Sequence, residues 1–227
     1  LSDGLSESFF TVLKIYLDAF NIKCYNLDIV KIMGVAMEKL HYHHGNLKNE
    51  LIEKAICIVN SEGEQGLSIR KVASACNVTY AAPYAHFKSK EELLFACREY
   101  VSEQFADYLS DSVSNEDKTN PKTLNILGNA YIEFFKLHPE YYNFIFNSKQ
   151  TCKMVLTLDE VKDNYPPFEV FRKVCLALTE KYGITKEQGL AKLIKCWSLV
   201  HGATALIISP NVELNGDWGE YLKTLYN

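Results

Sequence analysis

Between Glu64 and Glu91 the chain carries no Asp or Glu, while Arg70, Lys71, Lys88 and Lys90 all fall inside that stretch and His86 adds an imidazole. Such a run makes a local positive surface on a chain whose formal net charge is −4, and ammonium and guanidinium groups grouped this way suit phosphate. A second concentration is aromatic. Phe134, Phe135, Tyr141, Tyr142, Phe144 and Phe146 flank Pro139, and Trp197 and His201 stand four residues apart further along. Aromatic walls with a few hydrogen-bonding groups suit a small apolar ligand, and the same residues serve equally well as ordinary core. His41, His43 and His44 form only part of a metal-ligand set with no partner cluster, so a solvated arm is the reading and no metal is assigned. No nucleophile stands beside a base at a useful spacing, so neither an enzyme activity nor a cofactor is read.

The elements that position these groups read as helices. Leu47, Leu51, Ile52, Ala55, Ile56, Ile58 and Val59 make one broad apolar face that ends at Gly63 and Gly66. Ser68 can cap a short second helix in which Ile69, Val72, Ala73 and Cys76 share a buried face, leaving Arg70 and Lys71 outward. After a turn at Asn77 and Val78, Thr79 can cap a third helix running to Phe87, with Pro83 tolerated near its first turn. That helix exposes Thr79, Tyr80, Ala81 and Tyr84, small or hydrogen-bonding residues that let a helix enter a DNA major groove. Three short helices within about forty residues follow the helix-turn-helix plan.

Ser89 to Glu92 reads as a capping box opening a longer fourth helix with Leu93, Cys97, Tyr100, Val101, Phe105 and Tyr108, which bridges the two halves. A polar stretch from Ser110 to Asn120 marks a boundary. Beyond it the spacing predicts helices over Lys122 to Leu137, Glu140 to Phe146, Phe168 to Tyr182 closed by Gly183, Lys186 to Ile208 opened by the box Thr185 to Gln188, and a short one from Trp218 to Leu225. The fold class is therefore all-α: a helix-turn-helix domain at 42–105, then a helical-bundle regulatory and dimerisation domain at 120–227. Residues 1–36 read as an N-terminal extension, either upstream of a natural start at Met37 or forming an extra amphipathic helix.

The 227 residues include seven cysteines, Cys24, Cys57, Cys76, Cys97, Cys152, Cys175 and Cys196. Their odd number and scattered spacing argue against a disulfide framework or zinc ribbon and for buried thiols in a reducing cytoplasm. No apolar run is read as long enough for a bilayer span, and Phe9 to Ile22 is broken by Lys14 and Asp18. The opening does not read as a signal peptide.

The stretches Tyr42-His-His-Gly-Asn-Leu, Gly66-Leu-Ser-Ile-Arg-Lys-Val-Ala and Ala82-Pro-Tyr-Ala-His-Phe-Lys-Ser-Lys90 closely resemble the DNA-binding domain of the TetR family of bacterial regulators. Trp197 with His201-Gly202 more distantly resembles a signature of one branch of its regulatory domains. The resemblance implies a homodimer that binds a palindromic double-stranded operator and releases it when a small-molecule effector enters each regulatory domain. It places Ser68, Arg70, Thr79, Tyr80, Tyr84, His86 and Lys90 at the DNA, with Ala81 beside them. Phe134, Phe135, Tyr141, Tyr142, Phe144, Trp197 and His201 are the candidates for the effector site. The extension at 1–36 departs from the family, and the arm before the first helix carries histidines with only Lys39. A DNA-binding activator, or a small-molecule-binding helical protein with no DNA function, remains the alternative.

Overall fold

Hydrophobic spacing and side-chain caps determine where the helices of this chain start and stop, as a computed structural model that describes residues 47–146 and 153–225 shows. The arm histidines, Lys39, Cys24, Cys152 and the 1–36 extension lie outside the described residues. Helix α1 spans Leu47–Gly66 and is interrupted at Gly63, whose φ of 73° leaves the helical region. Its apolar face, Leu51 to Val59, is buried as the periodicity requires. Helix α2, Ile69–Ala75, starts at Ser68, whose hydroxyl oxygen accepts the Lys71 amide hydrogen at 3.2 Å.

The end of α2 is a paired C-terminal cap. Asn77 takes φ 55°, its N–H donates to Ser74 O at 3.1 Å, and the Val78 N–H donates to Ala73 O at 3.0 Å. A left-handed residue followed by this pair of bonds reverses the chain while satisfying the last carbonyls, and Asn is the side chain after Gly that tolerates it best.

The next element corrects an expectation. In place of an α-helix from Thr79 to Phe87 there is a single 3-10 turn, Ala82–Ala85. Pro83 is the reason. An α-helix capped by Thr79 needs the residue-83 N–H on the Thr79 carbonyl, and proline has none. That carbonyl instead accepts from Ala82 at 3.0 Å, and Tyr84 and His86 continue the tighter pattern onto Ala81 and Pro83.

Helix α3, Lys90–Ser112, has half of the expected capping box. Ser89 Oγ accepts from the Glu92 N–H at 3.2 Å, but the Glu92 carboxylate turns to the Lys88 N–H at 2.7 Å. Helices α4 (Lys122–Leu137), α5 (Pro139–Phe146), α6 (Pro166–Lys181), α7 (Lys186–Ile208) and α8 (Trp218–Leu225) follow, and no strand occurs among the described residues. The α7 box is complete, with Thr185 and Gln188 each holding the other's backbone N–H. Gly183, at φ 61°, closes α6 with the same pair of capping bonds as Asn77, onto Glu180 O and Thr179 O.

Helix α7 also corrects the reading that no segment could span a bilayer. Its 23 residues are long and apolar enough by length and composition. One side of the helix packs on α4 and α6 through Leu193, Trp197 and Val200.

The larger of two apolar clusters among the described residues runs from Leu51 in α1 through Phe87, Phe105 and Tyr131 to Val200 in α7, and the smaller joins Ile132, Ala203 and Leu222. Helix α3 is the spine of the larger, packing on α1, α4, α5 and α6. Burial of one such large side chain contributes about 1.5–3 kcal/mol. The stretch before α6 is braced by polar groups. The Asn164 amide pairs with both the N–H and C=O of Val155 at 2.8 and 3.0 Å, and Arg172 joins Glu169 at 2.6 Å and Leu158 O at 3.0 Å. Nothing in the periodicity marks this brace.

Candidate functional site

Pro83 and Phe87 are buried under the 3-10 turn, and their anchoring leaves the other side of residues 79–86 to solvent. Thr79, Tyr80, Ala81, Tyr84 and His86 are all exposed there, with Tyr80 at 61% and Tyr84 at 54%. Tyr80 and Tyr84 thereby form an exposed aromatic pair on a compact, anchored turn. Ser68 and Arg70 are exposed as well. The Ser68 hydroxyl spends its lone pair on the helix cap and keeps its hydrogen to donate, which is what a phosphate oxygen needs.

The four cations of the acid-free stretch divide into two kinds. Lys71 forms an ion pair with Glu62, and Lys90 donates to the backbone carbonyl of Glu64 near the end of α1. Arg70 and Lys88 are exposed and carry no ion pair among the described residues. Arg70 and Lys88 are therefore the cations of this stretch whose charged groups have no partner among the described residues to give up. Spacing alone singled out Lys90 and could not show that this lysine also caps α1. Lys88 belonged to the charge count and was missing from the contact residues.

The aromatic candidates fall together inside the bundle. Phe134, Phe135, Tyr142, Phe144 and Trp197 are buried, while Tyr141 and His201 are partly buried. Phe135 meets Phe134 at 5.1 Å and Tyr142 at 5.2 Å, and Tyr142 stacks on His201 at 5.3 Å between ring centroids. The hub of the cluster is Tyr131, which the sequence reading missed. It meets Trp197 at 5.4 Å, Phe105 at 4.9 Å and Phe171 at 6.3 Å, and its hydroxyl bonds His201 Nδ1 at 2.9 Å. Its position four residues before Phe135 on the same helix face was the available signal.

Burial lowers the His201 imidazole below its ordinary 6.5 and raises the Tyr131 and Tyr142 hydroxyls, so all three are neutral near pH 7. Clefts bounded by described residues lie elsewhere, one of them lined by Leu124, Leu178, Ile184 and Lys192. Burial also holds the Cys76 and Cys196 thiols up at about 11 and those of Cys97 and Cys175 at about 12, far from a reactive thiolate. Cys57 is exposed. No group of three or more His, Cys, Asp or Glu side chains that could hold a metal occurs among the described residues.

A capped helix, a left-handed turn and a short anchored element presenting polar and aromatic groups make up a helix-turn-helix, an arrangement that DNA-binding proteins use. Residues 51–97 match the family described as bacterial regulatory proteins, tetR family. An uncharacterized HTH-type transcriptional regulator, YerO, of Bacillus subtilis (strain 168) is 27% identical over 180 residues, covering 75% of this chain. The chain spans 58% of that relative's length. Among solved structures, a tetR-family regulatory protein from Rhodococcus RHA1 shares the fold with a TM-score of 0.57 at 14% identity, covering 79% of this chain and 94% of its own. The fatty acid degradation regulator FadR from Bacillus halodurans does so at 0.56 and 16%, covering 80% and 93%. The matched segment is thus a tetR-type DNA-binding domain, the curated relative is a regulator of the helix-turn-helix type, and the solved structures share the all-helical fold.

Proposed function

We propose that the chain is a cytoplasmic repressor that binds a palindromic operator as a homodimer and leaves it when a small molecule occupies the aromatic cluster. The observation that carries this reading is the exposure of Tyr80 and Tyr84 over buried Pro83 and Phe87, next to Arg70 and Lys88, which carry no ion pair among the described residues. Thr79, Tyr80 and Ala81 face base edges, while Ser68, Arg70, Tyr84, His86 and Lys90 hold the phosphates, Lys90 by exchanging its bond to Glu64 O for one to DNA.

The dimer reading is supported by the outer side of α7. Ile194, Ser198, Gly202 and Leu206 are exposed at four-residue intervals, and a Cβ added at Gly202 would meet nothing within 4 Å. An apolar stripe centred on a glycine lets a twofold-related helix approach closely, and Tyr221 of α8 is exposed as well. Phe134, Phe135, Tyr141, Tyr142, Phe144, Trp197 and His201 are the effector contacts, and their character calls for an apolar, ring-bearing or long-chain molecule. Binding works by population shift: two arrangements differ in the spacing of the recognition turns, and the effector prefers the one that does not fit successive major grooves, about 34–36 Å apart.

Selection from random duplexes followed by mobility shift tests the reading. A dimer on a twofold-symmetric sequence is the expected result, and a folded chain that shifts no duplex even at low salt overturns it in favour of a small-molecule binder. Stimulation instead of repression of a reporter by the selected site would make the protein an activator.

A further inference from the structure

His201 of α7 has both ring nitrogens engaged. Tyr131 Oη of α4 lies 2.9 Å from Nδ1, and Tyr142 Oη of α5 lies 3.2 Å from Nε2. The Tyr142 hydroxyl is also 3.4 Å from the His201 carbonyl, a group it can only donate to. These contacts assign the protons. The Tyr142 hydrogen goes to the carbonyl, Nε2–H donates to the Tyr142 oxygen, and Nδ1 accepts from Tyr131. The reverse tautomer would leave the Tyr131 hydrogen with no acceptor among the described residues, in a side chain with 0% exposure. An imidazolium has the same defect, because Nδ1–H then donates to the Tyr131 oxygen and leaves the Tyr131 hydrogen without an acceptor among the described residues. The neutral ring is thus the form that ties three helices together.

The opposite side of α5 faces the DNA-binding helices. Tyr141, next to Tyr142 in sequence, lies close enough to Tyr100 of α3 to act on its hydroxyl, and Tyr100 Oη donates to Glu53 Oε1 of α1 at 2.9 Å. Helix α5 packs directly on α1. It is eight residues long, so a change on one side of it has little helix in which to dissipate.

We infer that His201 is a proton-sensitive latch: neutral, it joins α4 and α5 to α7, and on taking a proton it gives up the bond from Tyr131, so that the ring, still held to Tyr142, shifts and moves α5 against α1. The titratable groups facing it are Tyr131 from α4 and Tyr142 from α5, with Tyr165 acting on Tyr131 from the segment before α6. Among the described residues no carboxylate or ammonium contributes to its titration, which burial depresses. The unfolded chain therefore binds the proton more readily than the folded one. Stability falls as pH drops below about 6.5 and stops falling once the lower folded value is passed. The consequence for DNA rests on the repressor reading, and the latch itself does not.

Titration of the full chain with carbon-13-labelled histidine tests it, the His201 Cε1–H signal being identified by its loss in His201→Asn. The wild-type signal should titrate below 6.5. Tyr131→Phe, which removes the stranded hydroxyl, should move the midpoint up by about one unit, whereas Tyr142→Phe, which leaves Tyr131 in place, should not raise it. An unchanged midpoint in Tyr131→Phe, or an equal rise in both variants, overturns the latch in favour of simple burial. Operator affinity is then measured between about pH 7.5 and about pH 5.5 in a His86→Asn background, which removes the imidazole on the DNA face. Several-fold weakening on acidification, with a midpoint that follows the one seen for His201 in each variant, is expected. A His201 midpoint that moves without the affinity midpoint overturns the link to DNA, and a chain that binds no operator at any pH sinks the repressor reading while the titration still decides the latch.

Discussion

The surface of residues 68–88 and the aromatic cluster are built on opposite terms. The first is held by caps and one proline, with its aromatic side chains in water; the second holds its rings against one another across five elements, with Tyr131, Phe135 and Phe171 fully buried. A surface made of local bonds can change its outward residues without disturbing the fold, and an interdigitated core cannot. If the proposed function holds, specificity for DNA is free to vary on such a scaffold, while a response to an effector must be worked through the core.

Substitution experiments sharpen that contrast. Phe135→Ala removes a ring with contacts to Phe105, Tyr131, Phe134, Tyr142 and Phe146, and should cost about 3–5 kcal/mol in chemical denaturation. A loss below about 1 kcal/mol would mean that the cluster is loosely packed and already open to a ligand. Gly189→Ala places a Cβ 2.2 Å from Thr179 Oγ1 and 2.8 Å from Leu158 Cδ1, where α7 crosses α6. The clash should lower stability by about 1–3 kcal/mol with no direct effect on DNA contacts, read by comparing melting with operator affinity.

Lys90→Ala straddles the two regions. It removes the hydrogen bond to Glu64 O and should cost about 1 kcal/mol of stability, and it should also reduce the salt dependence of DNA binding by about one unit. Lys88→Ala should show the salt effect without the stability loss; identical behaviour of the two lysines in both measurements would erase the distinction drawn between them. Tyr84→Ala is expected to change folding by less than about 0.5 kcal/mol, because its side chain is exposed, while weakening operator binding at least tenfold. A large loss of stability would place Tyr84 in the core after all.

What could be read in the sequence follows the same division. Ser68, Ser89, Thr185, Gly183 and the apolar spacing of α1, α4 and α7 act within a few residues of themselves, and each helix boundary they mark is found within about two residues. The 3-10 turn was misjudged because Pro83 was weighed as a tolerated residue and not as a missing donor for Thr79. Lys90 on Glu64 O, Tyr131 on His201 and the Asn164 brace join positions 26, 70 and 9 residues apart, and no period or motif records such pairings.

Helix α3 gives its first turns to the DNA-reading end and its later ones to the bundle, with Leu93 and Cys97 on one side of that divide and Phe105 and Leu109 on the other, all at 0% exposure. A chain severed at residue 105 would carry a bare phenylalanine at its cut end and leave Tyr131 and Phe134 without their neighbour. Transplanting the helix-turn-helix onto another bundle therefore means taking the whole of α3 and redesigning the rings that receive it, so the inheritable module of this protein is larger than the helix-turn-helix itself.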